Sequence, residues 1–212
     1  EDASTMISIA RADPRTELIE QCVSLAAEFR DLTKHDRSVA HGPEWGYFAR
    51  PVKQANGKIK NVYDSRVPGL RGKSRGVRPW SQVTAVCLHS TGVVMPWRRF
   101  AGVPAHMGVS DDDVALLLFP LDHLLYHAEK ANGFSVGLEV SGNSNCTEKQ
   151  ADIAFALTTY AVHEILNNGG GVNGRVAIMC HAMANKRKPV DCGRQIWQAV
   201  AEKAIRELPC VL

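Results

Sequence analysis

The sequence predicts an α/β fold in which a central β-sheet is flanked by helices. Four short apolar runs of strand length lie in the second half of the chain, at residues 83–88, 114–119, 134–140 and 175–180. Apolar runs of this length are typical of strands buried on both faces of a sheet. Two longer helical patterns follow among and after these runs, and such mixing of strands and helices is typical of an α/β sheet.

The two helical patterns have recognisable starts. Thr147 opens the segment "TEKQ", in which Gln150 stands three residues later, and this spacing predicts a capping box at the start of a helix over residues 148–167. The segment "NNGGG" then ends that helix. A second helix is predicted over residues 193–208, with apolar side chains at Ile196, Trp197, Val200 and Ile205.

The first eighty residues have a different character. Residues 15–33 carry apolar side chains at three- and four-residue intervals, which predicts an amphipathic helix. Residues 36–80 are rich in Gly, Pro, Lys and Arg and predict an extended basic segment with a short hairpin at "ANGK". We therefore expect an N-terminal helical and extended appendage over residues 1–80 and a catalytic domain over residues 81–212.

Composition narrows the class of protein. The chain has 212 residues, 45% of them hydrophobic, and a formal net charge of +3. This mild charge does not favour a nucleic-acid partner. Pro120 and Asp122 interrupt the longest apolar run, which argues against a transmembrane segment. The first residues lack the pattern of a signal peptide, and the six cysteines form no CxxC pair.

Chemically active side chains stand at or near the ends of three apolar runs. His89 ends one run, His181 follows "VAIMC", and Glu139 lies near the end of "FSVGLEV"; Asp191 comes ten residues after His181. Strand ends in open sheets form ligand crevices, so these groups are expected to converge. Two imidazoles and a carboxylate with one open position are typical of catalytic zinc. Each residue alone is more often structural, because a histidine closing a buried strand usually only hydrogen-bonds.

Three motifs, in order over about residues 83–197, give the chain a family resemblance. They are "VCLHST", the central stretch "VPAHMGVSDDDVALLLFPLDHLLYHAEKANGFSVGLEVSGN", and "HAMANKRKPVDCG". The sequence resembles the zinc-dependent N-acetylmuramoyl-L-alanine amidases, which are related to peptidoglycan recognition proteins and many phage lysins. The resemblance implies that family's mixed central sheet flanked by helices.

The resemblance also implies roles for individual residues. His89, His181 and Asp191 match the zinc ligands, and Glu139 matches the glutamate that handles the proton of the attacking water. His127 matches the histidine of the family's Trp-His-Ala-Gly segment, where we expect a substrate contact.

Further substrate contacts are expected on both sides of this stretch. Asn132 matches an asparagine before the glutamate strand, while Trp97 and Arg98 follow the first ligand in a loop suited to a sugar-binding rim. The loop over residues 141–147 is expected to border the same groove.

Several positions depart from the family pattern. Glu129 replaces a glycine. Cys192 stands where proline is usual and competes with Asp191 as third ligand, because thiolate is a good zinc donor. The family's catalytic lysine position is Pro189 here, so Lys188, one residue away, is the candidate cation for the oxyanion.

The function that follows is hydrolysis of the amide between N-acetylmuramic acid and L-alanine in peptidoglycan. The expected cofactor is one Zn²⁺, the expected partner is peptidoglycan or a muropeptide, and the expected place of action is the cell wall, as in an antibacterial endolysin or a remodelling enzyme. One alternative is a peptidoglycan-binding module without activity, of the recognition-protein type. Another is an unrelated α/β zinc hydrolase.

Overall fold

The computed structural model describes residues 74–100 and 103–212, with Leu18, Glu20, residues 24–26 and 28–31, and the backbone of strands at 49–53 and 59–63. None of the helices in this part of the chain has the length and apolar character needed to cross a membrane.

The described residues form ten strands. In chain order these are β1 Glu28–Asp31, β2 Ala49–Lys53, β3 Ile59–Tyr63, β4 Ser74–Val77, β5 Ala85–Ser90, β6 Met107–Val109, β7 Val114–Leu117, β8 His123–Leu125, β9 Ser135–Val140 and β10 Ala177–Cys180. From residue 74 onward the helices are α1 Trp97–Phe100, α2 Glu148–Asn167, α3 His181–Ala184 and a C-terminal helix, α4. Helix α4 runs through Arg194–Ile196, a π-helical part Trp197–Glu202, and Lys203–Glu207. Short 3₁₀ turns lie at Trp80–Gln82 and Glu129–Ala131.

A six-stranded mixed sheet forms the centre of the molecule, as the sequence predicts. Its strand order is β1-β7-β6-β9-β5-β10, and only the β6–β7 pair is antiparallel. The four predicted apolar runs correspond to β5, β7, β9 and β10. Strand β6 has only three residues, which is too short for a pattern of its own in the sequence.

Both predicted helices of the second half are present. Thr147 accepts a hydrogen bond from the Gln150 backbone, and the Gln150 side chain accepts one from Thr147, which completes the capping box. Helix α2 and α4 bury their apolar faces in one core with the sheet, where Leu88, Leu138 and Leu157 are completely buried. Burying a leucine side chain contributes about 1.5–3 kcal/mol, so this core fixes the strands that carry the site.

The predicted helix over residues 15–33 is wrong at its C-terminal end. Leu18, Glu20, Ser24 and Leu25 are helical, but Glu28–Asp31 form β1, which pairs in parallel with β7 at the edge of the central sheet. Hydrogen bonding to a neighbouring strand outweighs the local helical pattern, because propensity is a weak preference that tertiary contacts override. The other residues of the predicted helix lie outside the described part of the chain.

The basic segment contains paired strands. Strands β2 and β3 are antiparallel, with Lys53 opposite Ile59. The predicted "ANGK" hairpin turn lies outside the described residues. Strand β4 pairs with β8, although β4 precedes and β8 follows the predicted division at residue 80. The division of the chain into two domains stays a prediction.

Candidate functional site

The parallel strands β9, β5 and β10 bring the predicted site residues to one edge of the sheet. His89 on β5 lies opposite Glu139 on β9, and β10 runs parallel to β5 on its other side. His181 directly follows β10 and begins α3. The carboxyl ends of these strands therefore present both histidines and the glutamate in one place, as the sequence predicts.

Three potential ligand atoms converge at this edge. The distance from His89 Nδ1 to His181 Nδ1 is 3.1 Å, and the distance from His181 Nδ1 to Asp191 Oδ2 is 2.9 Å. All three atoms lie within 4.8 Å of one another. A tetrahedral zinc ion with bonds of about 2.0–2.1 Å separates its ligands by about 3.3 Å, so this spacing and donor set fit zinc.

The setting of the two histidines favours a neutral His89. Both are buried, with 1% of His89 and 9% of His181 exposed. Burial, and then the neighbouring His127 and His181, hold the pKa of His89 well below its ordinary value. A neutral imidazole carries the lone pair that a metal needs. The Nε2 atom of His181 is buried and has no hydrogen-bond partner among the described residues.

A backbone N–H group holds one of the two carboxylate oxygens of Asp191. The Ser90 N–H donates to Asp191 Oδ1 at 2.7 Å, which leaves Oδ2 directed at His181. The Ala182 N–H donates to the Asp191 carbonyl and ties this turn to α3. The carboxylate is therefore held with one oxygen available to a metal, as hydrogen-bonded metal ligands usually are.

Cys192, the alternative third ligand, lies outside the group of converging ligand atoms. Its side chain is 1% exposed and packs in the main core with α2 and α4. Burial raises the pKa of its thiol to about 12, whereas a zinc ligand is a thiolate. Cys192 takes no part in the metal-ligating groups found among the described residues, and Asp191 does.

Glu139 stands beside the three converging atoms. Its Oε1 lies 4.0 Å from His89 Nδ1, and its Oε2 is buried without a hydrogen-bond partner among the described residues. Burial, and then the negative charge of Asp191, raise the pKa of Glu139 to about 8, while Lys188 lowers it. A carboxyl group that exchanges protons near neutral pH suits general acid–base chemistry.

Lys188 lies in the exposed turn between His181 and Asp191. Its N–H donates to the Asn185 carbonyl, and its own carbonyl accepts from the Asp191 N–H. The ammonium group is close enough to lower the pKa values of both His89 and Glu139. Lys188 therefore places a positive charge at the mouth of the site, although Pro189 occupies the position the family pattern reserves for lysine.

His127 lies inside the protein, behind His89. The ring is 7% exposed, and its Nδ1 lies 3.0 Å from His89 Nε2. Its Nε2 lies 3.1 Å from the carbonyl oxygen of Ser135. Burial lowers its pKa to about 4 against the Ser135 hydrogen bond, which raises it, so the ring is neutral. The substrate contact expected of His127 stays a prediction, and in this structure both ring nitrogens face protein atoms.

A second group of potential ligands shares His89. Cys87 Sγ, a His89 nitrogen and a His127 nitrogen also lie within 4.8 Å of one another. The two imidazoles here already hydrogen-bond to each other, and burial raises the pKa of the Cys87 thiol. Cys87 packs among Ala128 and Ala131, and this group of three residues includes no carboxylate ligand. The group of His89, His181 and Asp191 is therefore the better fit for a divalent metal.

Of the other residues predicted to contact substrate, Asn132 lies near the site, whereas Trp97 and Arg98 do not. The side-chain oxygen of Asn132 accepts from the backbone N–H groups of His127 and Ala128, so it holds the turn that carries His127. Trp97 packs against a hydrophobic cluster that includes Val114 and Leu116 of β7.

Strand β7 lies three strands from β5, or about 14 Å across the sheet. The guanidinium carbon of Arg30 sits 3.8 Å from the Trp97 ring centroid, and that of Arg98 sits at 5.4 Å. Trp97 and Arg98 are thus not brought to His89, and their substrate contact stays a prediction.

Two polar side chains near the site make contacts that the sequence does not predict. Arg78 is 5% exposed and donates to the carbonyl groups of Leu121, Asn132 and Ser135. Arg78 lies in a stretch rich in Lys and Arg, and the sequence does not indicate which arginine of that stretch is buried. Asn185 donates to Glu129 Oε1 at 2.8 Å and joins the turn after β8 to the turn that carries Lys188.

Comparison with protein-family models finds no match, and comparison with curated proteins finds none. Several solved structures are similar. The Drosophila peptidoglycan recognition protein PGRP-LB is 17% identical, with 87% of this chain and 96% of that chain covered and a TM-score of 0.47. The N-acetylmuramoyl-L-alanine amidase LysC from Clostridium intestinale is 17% identical, with 59% and 89% covered and a TM-score of 0.44. The Ph2119 endolysin from a Thermus scotoductus bacteriophage is 18% identical, with 61% and 87% covered and a TM-score of 0.46. At these identities and TM-scores no residue role passes from those proteins to this chain.

Proposed function

We propose that this chain is a zinc-dependent hydrolase that cleaves the amide between N-acetylmuramic acid and L-alanine in peptidoglycan, and that it acts at the cell wall. One observation supports the proposal most: His89 Nδ1, His181 Nδ1 and Asp191 Oδ2 converge within 4.8 Å beside the buried carboxyl group of Glu139. The motifs that carry these four residues are those of the amidase resemblance.

The three converging atoms would hold the metal. Zinc, when bound, lowers the pKa of water and polarises the amide carbonyl. Two imidazoles and one carboxylate leave a position open, which is the usual arrangement of a catalytic rather than a structural zinc site.

Glu139 performs the proton transfers in this proposal. Its free Oε2 accepts a proton from the attacking water and then donates it to the nitrogen of the leaving L-alanine. The buried position favours this exchange because burial raises the pKa of Glu139 to about 8, where the carboxyl group can both take up and release a proton near neutral pH. Lys188 at the mouth of the site stabilises the negative charge that develops on the amide oxygen.

The substrate assignment rests on the resemblance and on the walls of the site. The loop over residues 141–147 borders the metal-ligating group, because the Ser144 N–H donates at 2.8 Å to the hydroxyl of Ser90, which adjoins His89. We expect this loop to form one wall of a groove for a polymer that carries both sugar and peptide.

Mass spectrometry of digested, purified peptidoglycan tests this assignment. The expected digest contains new L-alanine amino termini and uncut glycan strands. New reducing sugar ends without new alanine amines would identify a glycosidase, and cleavage confined to the stem peptide would identify a peptidase. Retention on peptidoglycan without any product, by zinc-loaded protein, would favour the binding-module alternative.

A further inference from the structure

We propose that His127 is a positioning residue: it fixes the tautomer of His89 so that the Nδ1 lone pair of His89 faces His181 and Asp191. The proposal rests on the proposed zinc site and adds to it a residue that acts on the metal through His89. Its physical basis is a chain of hydrogen bonds that begins at a backbone carbonyl group and ends at the ligand atom.

The chain begins at the carbonyl oxygen of Ser135. This oxygen can only accept hydrogen bonds, and it lies 2.8 Å from a guanidinium nitrogen of Arg78 and 3.1 Å from His127 Nε2. Because an acceptor needs a donor, His127 Nε2 must carry the hydrogen. The direction of the first hydrogen bond is therefore set by the backbone.

The second hydrogen bond follows from the first. A neutral imidazole has one N–H and one lone pair, so His127 Nδ1 is an acceptor. His89 Nε2, 3.0 Å away, must then be the donor. This places the lone pair of His89 on Nδ1, the atom 3.1 Å from His181 Nδ1.

The position of His127 is itself enforced from two sides. A Cβ atom at Gly137 would lie 2.7 Å from His127 Nδ1, so glycine is what leaves room for the ring. The backbone N–H of His127 donates to the Asn132 side chain. A ring packed in this way has little freedom to rotate away from His89, and a fixed second partner is what orients a ligand histidine.

His106 offers a matched control. It is 0% exposed, and its ring centroid lies 5.6 Å from that of His127. Its nitrogens contact the His123 carbonyl group and the Gly137 N–H, and neither contacts His89. Replacing His106 perturbs the same core but leaves the hydrogen-bond chain from Ser135 to His89 in place.

The first test uses nitrogen-15 NMR of the imidazole rings in metal-free wild-type protein. We expect both His89 and His127 as Nε2–H tautomers. A His89 ring protonated on Nδ1, or a mixture of tautomers, would overturn the proposal. The readout needs neither zinc nor hydrolysis, so an absence of amidase activity would count against the proposed function without deciding this inference.

The second test measures zinc affinity by competition with a chelator. His127→Phe keeps the ring shape and removes both hydrogen bonds, so we expect binding weaker by about 10–100-fold. His127→Gln retains an acceptor for His89 and a donor for Ser135, so we expect most of the affinity to return. His106→Phe should lower the unfolding temperature and leave zinc affinity unchanged.

Two affinity results would contradict the inference. One is a His127→Phe protein that binds zinc as tightly as wild type. The other is a His106→Phe protein weakened as much as His127→Phe, since that would point to a general disturbance of the core. If the phenylalanine variants do not fold, the tautomers of the wild-type protein still decide the question.

Discussion

The backbone N–H of Ser90 donates to Oδ1 of Asp191 at 2.7 Å, so the last residue of β5 orients the carboxylate next to the first candidate ligand, His89. The other oxygen, Oδ2, is left to face His181. Two elements separated by about a hundred residues of chain are thus joined at the candidate metal centre, and Asp191 rather than its neighbour Cys192 meets the histidines.

Asp191→Ala should remove stoichiometric zinc from the protein, because it deletes the only carboxylate of the converging group. Cys192→Ala is the matched change one residue away and should retain zinc, at a modest loss of stability from the buried thiol. Elemental analysis of both proteins gives the answer. Zinc retained by Asp191→Ala and lost by Cys192→Ala would reverse the ligand assignment.

Lys188→Ala should reduce the rate of hydrolysis while leaving zinc content unchanged, since the ammonium group acts on the developing oxyanion and not on the metal. Removing one oxyanion donor costs about 10²–10³-fold at most, and an exposed lysine should cost less than that. Lys186→Ala, in the same exposed turn, is the control. Equal rates in the two variants would show that Lys188 is not the oxyanion donor.

Glu129 holds Asn185 from a strained backbone position, with φ at +45° where the family pattern has glycine. Both Glu129→Gly and Glu129→Ala lose the hydrogen bond, but only glycine relieves the strain. We expect the alanine variant to be less stable than the glycine variant by about 1–2 kcal/mol. Urea unfolding measures the difference, and equal stabilities would show that the position carries no strain.

The stability of the metal-free protein should depend on pH in a way that Glu139 moderates. Burial depresses the pKa values of His89, His106 and His127 from an ordinary 6.5, so the stability they contribute is present above pH 6.5 and is lost as the pH falls. The pKa of Glu139 is raised by burial from 4.5 to about 8, so its contribution is present below pH 4.5 and is lost as the pH rises.

Between pH 6.5 and 5 the two effects therefore oppose each other, because the native state already holds the Glu139 proton while the unfolded chain takes up histidine protons. As the pH falls through this range, metal-free Glu139→Gln should lose stability more steeply than wild type. The slope of the unfolding free energy against pH should be larger by the amount that corresponds to about one proton. Urea unfolding at several pH values tests this. An equal or shallower slope in the variant would mean that Glu139 is ionised in the metal-free protein.

The main features of the sheet edge could be predicted from the sequence because apolar runs mark where strands end. His89 and Glu139 close or nearly close such runs, and parallel strands place their carboxyl ends together, so convergence follows once the strands are adjacent. The order in which β9, β5 and β10 pair depends on packing between distant segments, so it could not be predicted from the local sequence of each strand.

The role of His127 could not be predicted in the same way. Its hydrogen-bond partners are the carbonyl oxygen of Ser135 and the Nε2 atom of His89. The ring fits only because Gly137 has no side chain. A resemblance identifies the histidine but not the direction of its hydrogen bonds. Strand β1 was missed for a related reason, because its pairing with β7 is a tertiary contact that the helical spacing of residues 15–33 conceals.

We propose that Glu139 transfers protons at a zinc site formed by His89, His181 and Asp191. The most direct measurement is the rate at which zinc-loaded Glu139→Gln releases L-alanine amino termini from peptidoglycan, compared with wild type and with a Glu202→Gln control on the exposed part of α4. We expect full zinc content and a rate lower by about 10²–10⁴-fold, because an amide cannot accept the proton. A zinc-loaded Glu139→Gln protein that turns over at nearly the wild-type rate would contradict the account.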